Sequence, residues 1–132
     1  MTLTADFSLA ATGASVASLS RPRPLRKGDM IGVVAPSYSP RADWLTRGVK
    51  ALERAGYRTK LDPELLTMRR FQRQEDERRA ENFMAMWADP DVAAVIGGTG
   101  GYGAVRMLPY LEPELFRLLN AGFSKQKATV DN

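Results

Sequence analysis

Two short apolar runs and one alternating stretch punctuate the chain, and the segments between them repeat at helical spacing. Met30-Ile31-Gly32-Val33-Val34-Ala35 is apolar and partly β-branched, which predicts a first strand. Ser39 followed by Pro40 reads as a hydroxyl cap with proline in the first helical turn. Leu45, Val49 and Leu52 recur at i, i+4 and i+7, so a helix is predicted over Pro40 to Ala55 with those residues on its buried face. Gly56 stands where a helix ends. Tyr57 to Leu61 alternates and predicts a second, less buried strand, broken by Asp62-Pro63. Residues 64–75 read as a charged, irregular connection, either a solvated loop or a flap over a site. Asp76 to Trp87 predicts a second helix, with Ala80, Phe83, Met84 and Trp87 forming a core stripe. Val92 to Ile96 is a continuous apolar run, the pattern of a strand buried on both faces.

The predicted order is β-α-β-α-β-loop-α. Strands that alternate with helices predict an α/β fold: three layers, a mainly parallel sheet with helices on both faces, flavodoxin- or Rossmann-like and incomplete. Residues 1–24 read as a flexible extension ending in Arg21-Pro22-Arg23-Pro24, 25–117 as the α/β domain, and 118–132 as a divergent tail. In such sheets ligands bind beyond the carboxyl ends of the strands. Both Ala35-Pro36-Ser37 and the glycine loop lie there.

That loop holds Gly97, Gly98, Gly100, Gly101 and Gly103 within seven residues, followed by a short helical stretch, Ala104 to Leu108, stopped by Pro109. Three readings are open. Backbone amides near Gly100 and Gly101 can hold an oxyanion or another anion. Gly98-Thr99-Gly100-Gly101-Tyr102-Gly103 also satisfies G-x-G-x-x-G, which makes a small nucleotide- or phosphate-binding module the alternative. It falls after the third strand rather than the first, and the nearest acidic residues, Glu112 and Glu114, flank Pro113 rather than end a strand. The third reading is a tight strand-to-helix turn packed on the sheet.

Composition narrows the chemistry. The 132 residues contain neither cysteine nor histidine, which removes thiolate chemistry, the commonest general base and the commonest metal ligand. A Ser-His-Asp/Glu triad cannot be completed from these residues alone. No cofactor or metal is implied. Lys and Arg number 19 against 15 Asp and Glu, a net charge of +4. Apart from a cluster at Arg21, Arg23, Arg26 and Lys27 the signs are mixed, so neither a nucleic-acid partner nor a membrane is expected. A cytoplasmic location is the default.

Three blocks resemble the LD-carboxypeptidase family. Leu25-Arg26-Lys27-Gly28-Asp29-Met30-Ile31-Gly32-Val33-Val34-Ala35-Pro36-Ser37 resembles its opening, L-x-P-G-D-x-I-x-V-V-A-P-S. Arg79-Ala80 with Trp87-Ala88-Asp89-Pro90-Asp91-Val92 resembles R-A-x-D-L-x-x-A-F-x-D-P-x-V. Gly100-Gly101-Tyr102-Gly103-Ala104-Val105-Arg106-Met107-Leu108-Pro109-Tyr110-Leu111 closely matches R-G-G-Y-G-x-x-R-L-L-P-Y-L-D. The resemblance covers about Leu25 to Arg117 and implies the N-terminal domain of a cytoplasmic serine peptidase. Such enzymes cleave the bond between an L- and a D-amino acid in recycled cell-wall muropeptides. Related members, the microcin C self-immunity peptidases, act on peptidyl-nucleotides. The expected partner is therefore a small peptide, muropeptide or peptidyl-nucleotide, and the family suggests a homodimer.

The resemblance also assigns roles. Gly101, with Gly100 beside it, corresponds to the oxyanion-hole backbone. The nucleophilic serine is expected in P-K-x-x-x-G-[YF]-S-D, and the triad's Glu and His in a C-terminal domain. Thr99 replaces the usual arginine and Lys27 a proline. After Arg117 the match collapses: Gly122-Phe123-Ser124 lacks the preceding Pro-Lys, and Lys125 stands where Asp is expected. Ser124 is thus a weak nucleophile candidate. The sequence is read as a truncated or frameshifted member or a fragment of one, inactive alone, or as a decaying remnant whose sheet edge is left unpaired.

Overall fold

The computed structural model describes residues 22–67, 73–114 and 128–130. Its elements run β1 (Met30–Val34), α1 (Ala42–Arg54), β2 (Arg58–Leu61), α2 (Arg73–Ala88), β3 (Val92–Gly97), α3 (Gly103–Met107), a 3-10 turn (Leu108–Tyr110) and β4 (Ala128–Val130). The four strands form one parallel sheet in the order β2-β1-β3-β4.

β1 and β3 carry the apolar runs and lie at the centre of the sheet, where both faces are covered. Successive side chains of a strand point to opposite faces. Val34, Val92 and Val95 pack with Met86 and Trp87 of α2, with Met30 and Phe83 at the margin. Val33 and Ala35 pack with Leu65, with Leu45 of α1 and Ile96 at the margin. The result is three layers, an α/β sheet with helices on both faces. The seam between β1 and α2 is close. A Cβ added at Gly32 would lie 2.4 Å from Met86 Cγ and 2.6 Å from its sulfur. Phe83 and Trp87 stack with their centroids 5.9 Å apart.

Several boundaries differ from expectation. α1 starts at Ala42, two residues late. Its cap residue is Arg41, extended and without a side-chain capping bond. Pro40 is buried instead, and a Cβ on Gly98 would come within 3.3 Å of its Cγ, so the end of β3 rather than the helix holds that proline. Leu45, Val49 and Leu52 do face the sheet but are half-buried, and α1 has no buried residue. An apolar cleft of about 300 Å³, lined by Val33, Trp44, Leu45, Val49, Leu52 and Ile96, separates it from the sheet. α2 starts at Arg73, and within its stripe Met86 rather than Met84 is buried. Leu65, inside the stretch read as a loop, is 2% exposed and plugs the α1 side of the core. Finally, β4 pairs with β3 over Ala94 to Ile96, so the edge expected to stay open is covered.

Candidate active site

The site is built where β1 and β3 end side by side, with Val34 in register with Gly97. The Gly98 N–H donates to the Val34 carbonyl at 2.7 Å, which prolongs the pairing by one step and then releases the chain into the loop. The loop leaving β1 packs against the loop leaving β3. Pro36 lies against Gly97, and the Thr99 hydroxyl donates to the Tyr38 carbonyl.

Two glycines are required by geometry. Gly101 has φ +139°, a conformation that side-chain-bearing residues rarely adopt. Gly103 begins α3 directly on Ser37: a Cβ there would lie 2.6 Å from the Ser37 carbonyl oxygen and 2.9 Å from its Cα. Ser37 is 3% exposed and serves as the floor on which the loop turns. Gly100 and Gly101 are exposed, and among the described residues no protein acceptor takes either N–H. The Gly101 carbonyl is used, accepting the Ala104 N–H at 3.1 Å, and Tyr102 accepts from Val105 at 3.2 Å. The loop therefore leaves two amide donors unpaired on an exposed backbone that packs against Ser37 at Gly101 and Gly103.

Beside these amides lies a cleft of about 490 Å³, walled chiefly by apolar side chains that include Val34, Phe83, Val95, Val105, Met107 and Leu111. Such a cleft can take an apolar group of a ligand whose polar atom reaches the amides. The helix after the loop spans five residues and passes into the 3-10 turn at Leu108. That is a weak dipole for a dinucleotide pyrophosphate.

Behind α3 sits an ionic cluster that the reading of the sequence missed. Asp76 of α2 accepts from Arg106 Nε and Nη2 at 3.0 and 2.8 Å on one oxygen and from Arg79 on the other. Side-chain exposure is 0% for Arg79, 5% for Asp76 and 30% for Arg106. Burial pushes the Asp76 carboxyl up, but the Arg106 hydrogen bonds and the Arg79 and Arg106 charges outweigh it. It therefore titrates below the usual carboxylate range. The available signal was Asp76 and Arg79 at i, i+3 on the face that also carries Ala80 and Phe83.

The structure thus brings Gly100 and Gly101 together with Ser37, Thr99 and Tyr38. Ser124, the weak nucleophile candidate, lies outside the described residues.

The model of the LD-carboxypeptidase N-terminal domain matches residues 31–126. Over 97 residues the chain is 31% identical to a Bacillus subtilis (strain 168) protein named "Probable murein peptide carboxypeptidase", covering 74% of this chain and 30% of that one. Among solved structures it resembles an MccF-like protein from Bacillus anthracis str. Ames, with TM-score 0.65 and 28% identity over 74% of this chain and 30% of that one. It also resembles a muramoyltetrapeptide carboxypeptidase from Oxalobacter formigenes, with TM-score 0.59 and 27% identity over 76% of this chain and 31% of that one. The chain therefore spans about a third of the length of these relatives. On its sequence blocks, its fold and these matches, the chain belongs to the LD-carboxypeptidase family and corresponds to that family's N-terminal domain.

Proposed function

We propose that this domain supplies the oxyanion-holding part of a cytoplasmic serine-type LD-carboxypeptidase site that acts on muropeptides. The observation that carries the reading is the pair of unpartnered amides at exposed Gly100 and Gly101, on a loop packed on Ser37 beside an apolar cleft. In amide hydrolysis a serine oxygen attacks the carbonyl carbon, and the carbonyl oxygen becomes negative. The Gly101 N–H, with Gly100 beside it, stabilises that charge together with the amide that follows the serine, and losing one such donor typically costs about 10²–10³ in rate. The attacking serine needs a base, and none of the 132 residues is a histidine. On the family resemblance the base is a histidine supplied from outside these residues, and Ser124, which lacks the motif's preceding Pro-Lys, is the weak candidate for nucleophile. Alone, the 132-residue chain is expected to release no terminal D-amino acid from an L,D-tetrapeptide. Turnover at enzyme-like rates overturns that expectation.

The oxyanion role is tested on the chain itself. A phosphonate analogue of an L,D-dipeptide carries tetrahedral anionic oxygens where the intermediate would. Titrated into isotope-labelled protein, it should move the Gly100 and Gly101 amide resonances and leave those of β2 in place. Unmoved loop resonances reject the reading. The same titration with NAD or inorganic phosphate tests the alternative, the nucleotide- or phosphate-binding module built on Gly98–Gly103. A response to these and none to the phosphonate decides for it.

A further inference from the structure

α3 has five residues, too few to hold its direction by its own hydrogen bonds. Its two ends are fixed from outside. At the first, Gly103 rests on the Ser37 backbone with no space for a side chain. At the second, Arg106 reaches across to α2 and sets both Nε and Nη2 on a single oxygen of Asp76. The other Asp76 oxygen is occupied by Arg79, whose side chain is fully buried. Two guanidinium groups thus divide one carboxylate, and that carboxylate cannot turn toward one of them without leaving the other. Between the two fixed ends, Ala104 and Val105 donate back to the Gly101 and Tyr102 carbonyls, which couples the helix to the loop. Any rotation of α3 about its Gly103 seat would carry the Gly101 peptide plane with it.

We infer that Asp76 is a positioning residue for the glycine loop. Clamped by Arg79, it anchors Arg106 and through α3 sets the direction in which the Gly100 and Gly101 amides point. The functional meaning rests on the oxyanion reading given above; the mechanical coupling does not. Arg106→Lys keeps the charge but loses the planar fork that places two nitrogens on one oxygen, so it too should loosen Ala104 and Val105.

The test is residue-resolved amide hydrogen exchange on the 132-residue chain and its variants. Arg106→Gln should speed exchange at Ala104 and Val105 by roughly tenfold or more, the loss of a charge-assisted pair, while amides of β1 keep their wild-type rates. The Gly101 amide resonance should shift with it. Asp76→Asn should reproduce both effects together with a general loss of stability through Arg79, the double variant should be no worse than Asp76→Asn alone, and Asp76→Glu should restore part of the protection. Unchanged rates at Ala104 and Val105 in Arg106→Gln overturn the inference. So does equal acceleration in β1 and α3 in Arg106→Gln, since that makes the Arg106 contact a general stabiliser. Should Asp76→Asn fail to fold, Arg106→Gln and Arg106→Lys decide alone, because Arg106 is partly exposed. The phosphonate titration of the wild-type chain is separate. A loop that loosens in Arg106→Gln yet ignores the phosphonate upholds the anchor and removes the oxyanion role.

Discussion

Gly103 and Asp76 set the site in opposite ways, one by having no side chain and the other by having a charged one in the interior. Gly103→Ala drives a methyl group against the Ser37 carbonyl, which is backbone and cannot swing aside. Overpacking of this kind costs about 1–3 kcal/mol, and chemical denaturation of the variant should show that loss. Asp76 carries a pH signature. Its carboxyl titrates below the ordinary value of 3.8, so its contribution is complete above about pH 4 and disappears as pH falls through the lowered value. Glu64 acts in the same direction, lowered by the Asn82 hydrogen bond and then by Arg78. Denaturation midpoints should therefore fall below pH 4. Asp76→Asn, which strands buried Arg79 without its anion, should cost about 3–5 kcal/mol at pH 7. That deficit should narrow as the wild-type carboxylate is itself protonated. A deficit unchanged at pH 2–3 would mean that the charge of Asp76 does not matter. The need for glycine at 101 and 103 was visible in the sequence as a dense glycine loop. The Asp76 cluster was not, because charged residues on a helix read as solvated until the partner element is known.

Among the elements, the strands were the most legible, since continuous apolar runs have few other uses. β1 and β3 fall where the apolar pattern put them, β1 one residue shorter and β3 one residue longer. The helix starts were less legible. Ser39-Pro40 has the composition of a cap, yet the packing of Pro40 against Gly98 claims the proline for the loop and delays α1 to Ala42. α2 gained a turn at its start that the charged run Arg73-Gln74-Glu75 concealed. α1 also contains Gly48, around which an added Cβ meets nothing within 4 Å. Gly48→Ala should then stabilise the chain by about 1 kcal/mol through helix propensity alone, read as a raised thermal midpoint. A fall would show that the space beside Gly48 is occupied in solution.

For the whole molecule, the order of elements and the three sequence blocks carried both the layered architecture and the family. The pairing of β4 was beyond reach. Ala128-Thr129-Val130 is three residues in a stretch where the family resemblance has ended, and a strand so short has no period to detect. The site is legible to the same degree. The glycine loop announces itself, whereas the cleft beside it exists only once α2, α3 and β3 are packed. That packing joins α2 to the sheet at a point where the Met86 thioether occupies the space left by Gly32. Met86 is 6% exposed and its thioether lies in an apolar cluster with Val34, Trp87, Val92 and Val95, so a polar sulfoxide there should disrupt the seam. Peroxide should modify half-buried Met84 before Met86 in the folded chain, as mass spectrometry of its peptides would show. Chain oxidised while unfolded in urea should fail to recover its native melt until a sulfoxide reductase repairs it. On these expectations a protein sequence without cysteine acquires an oxidation-sensitive joint where β1 meets α2.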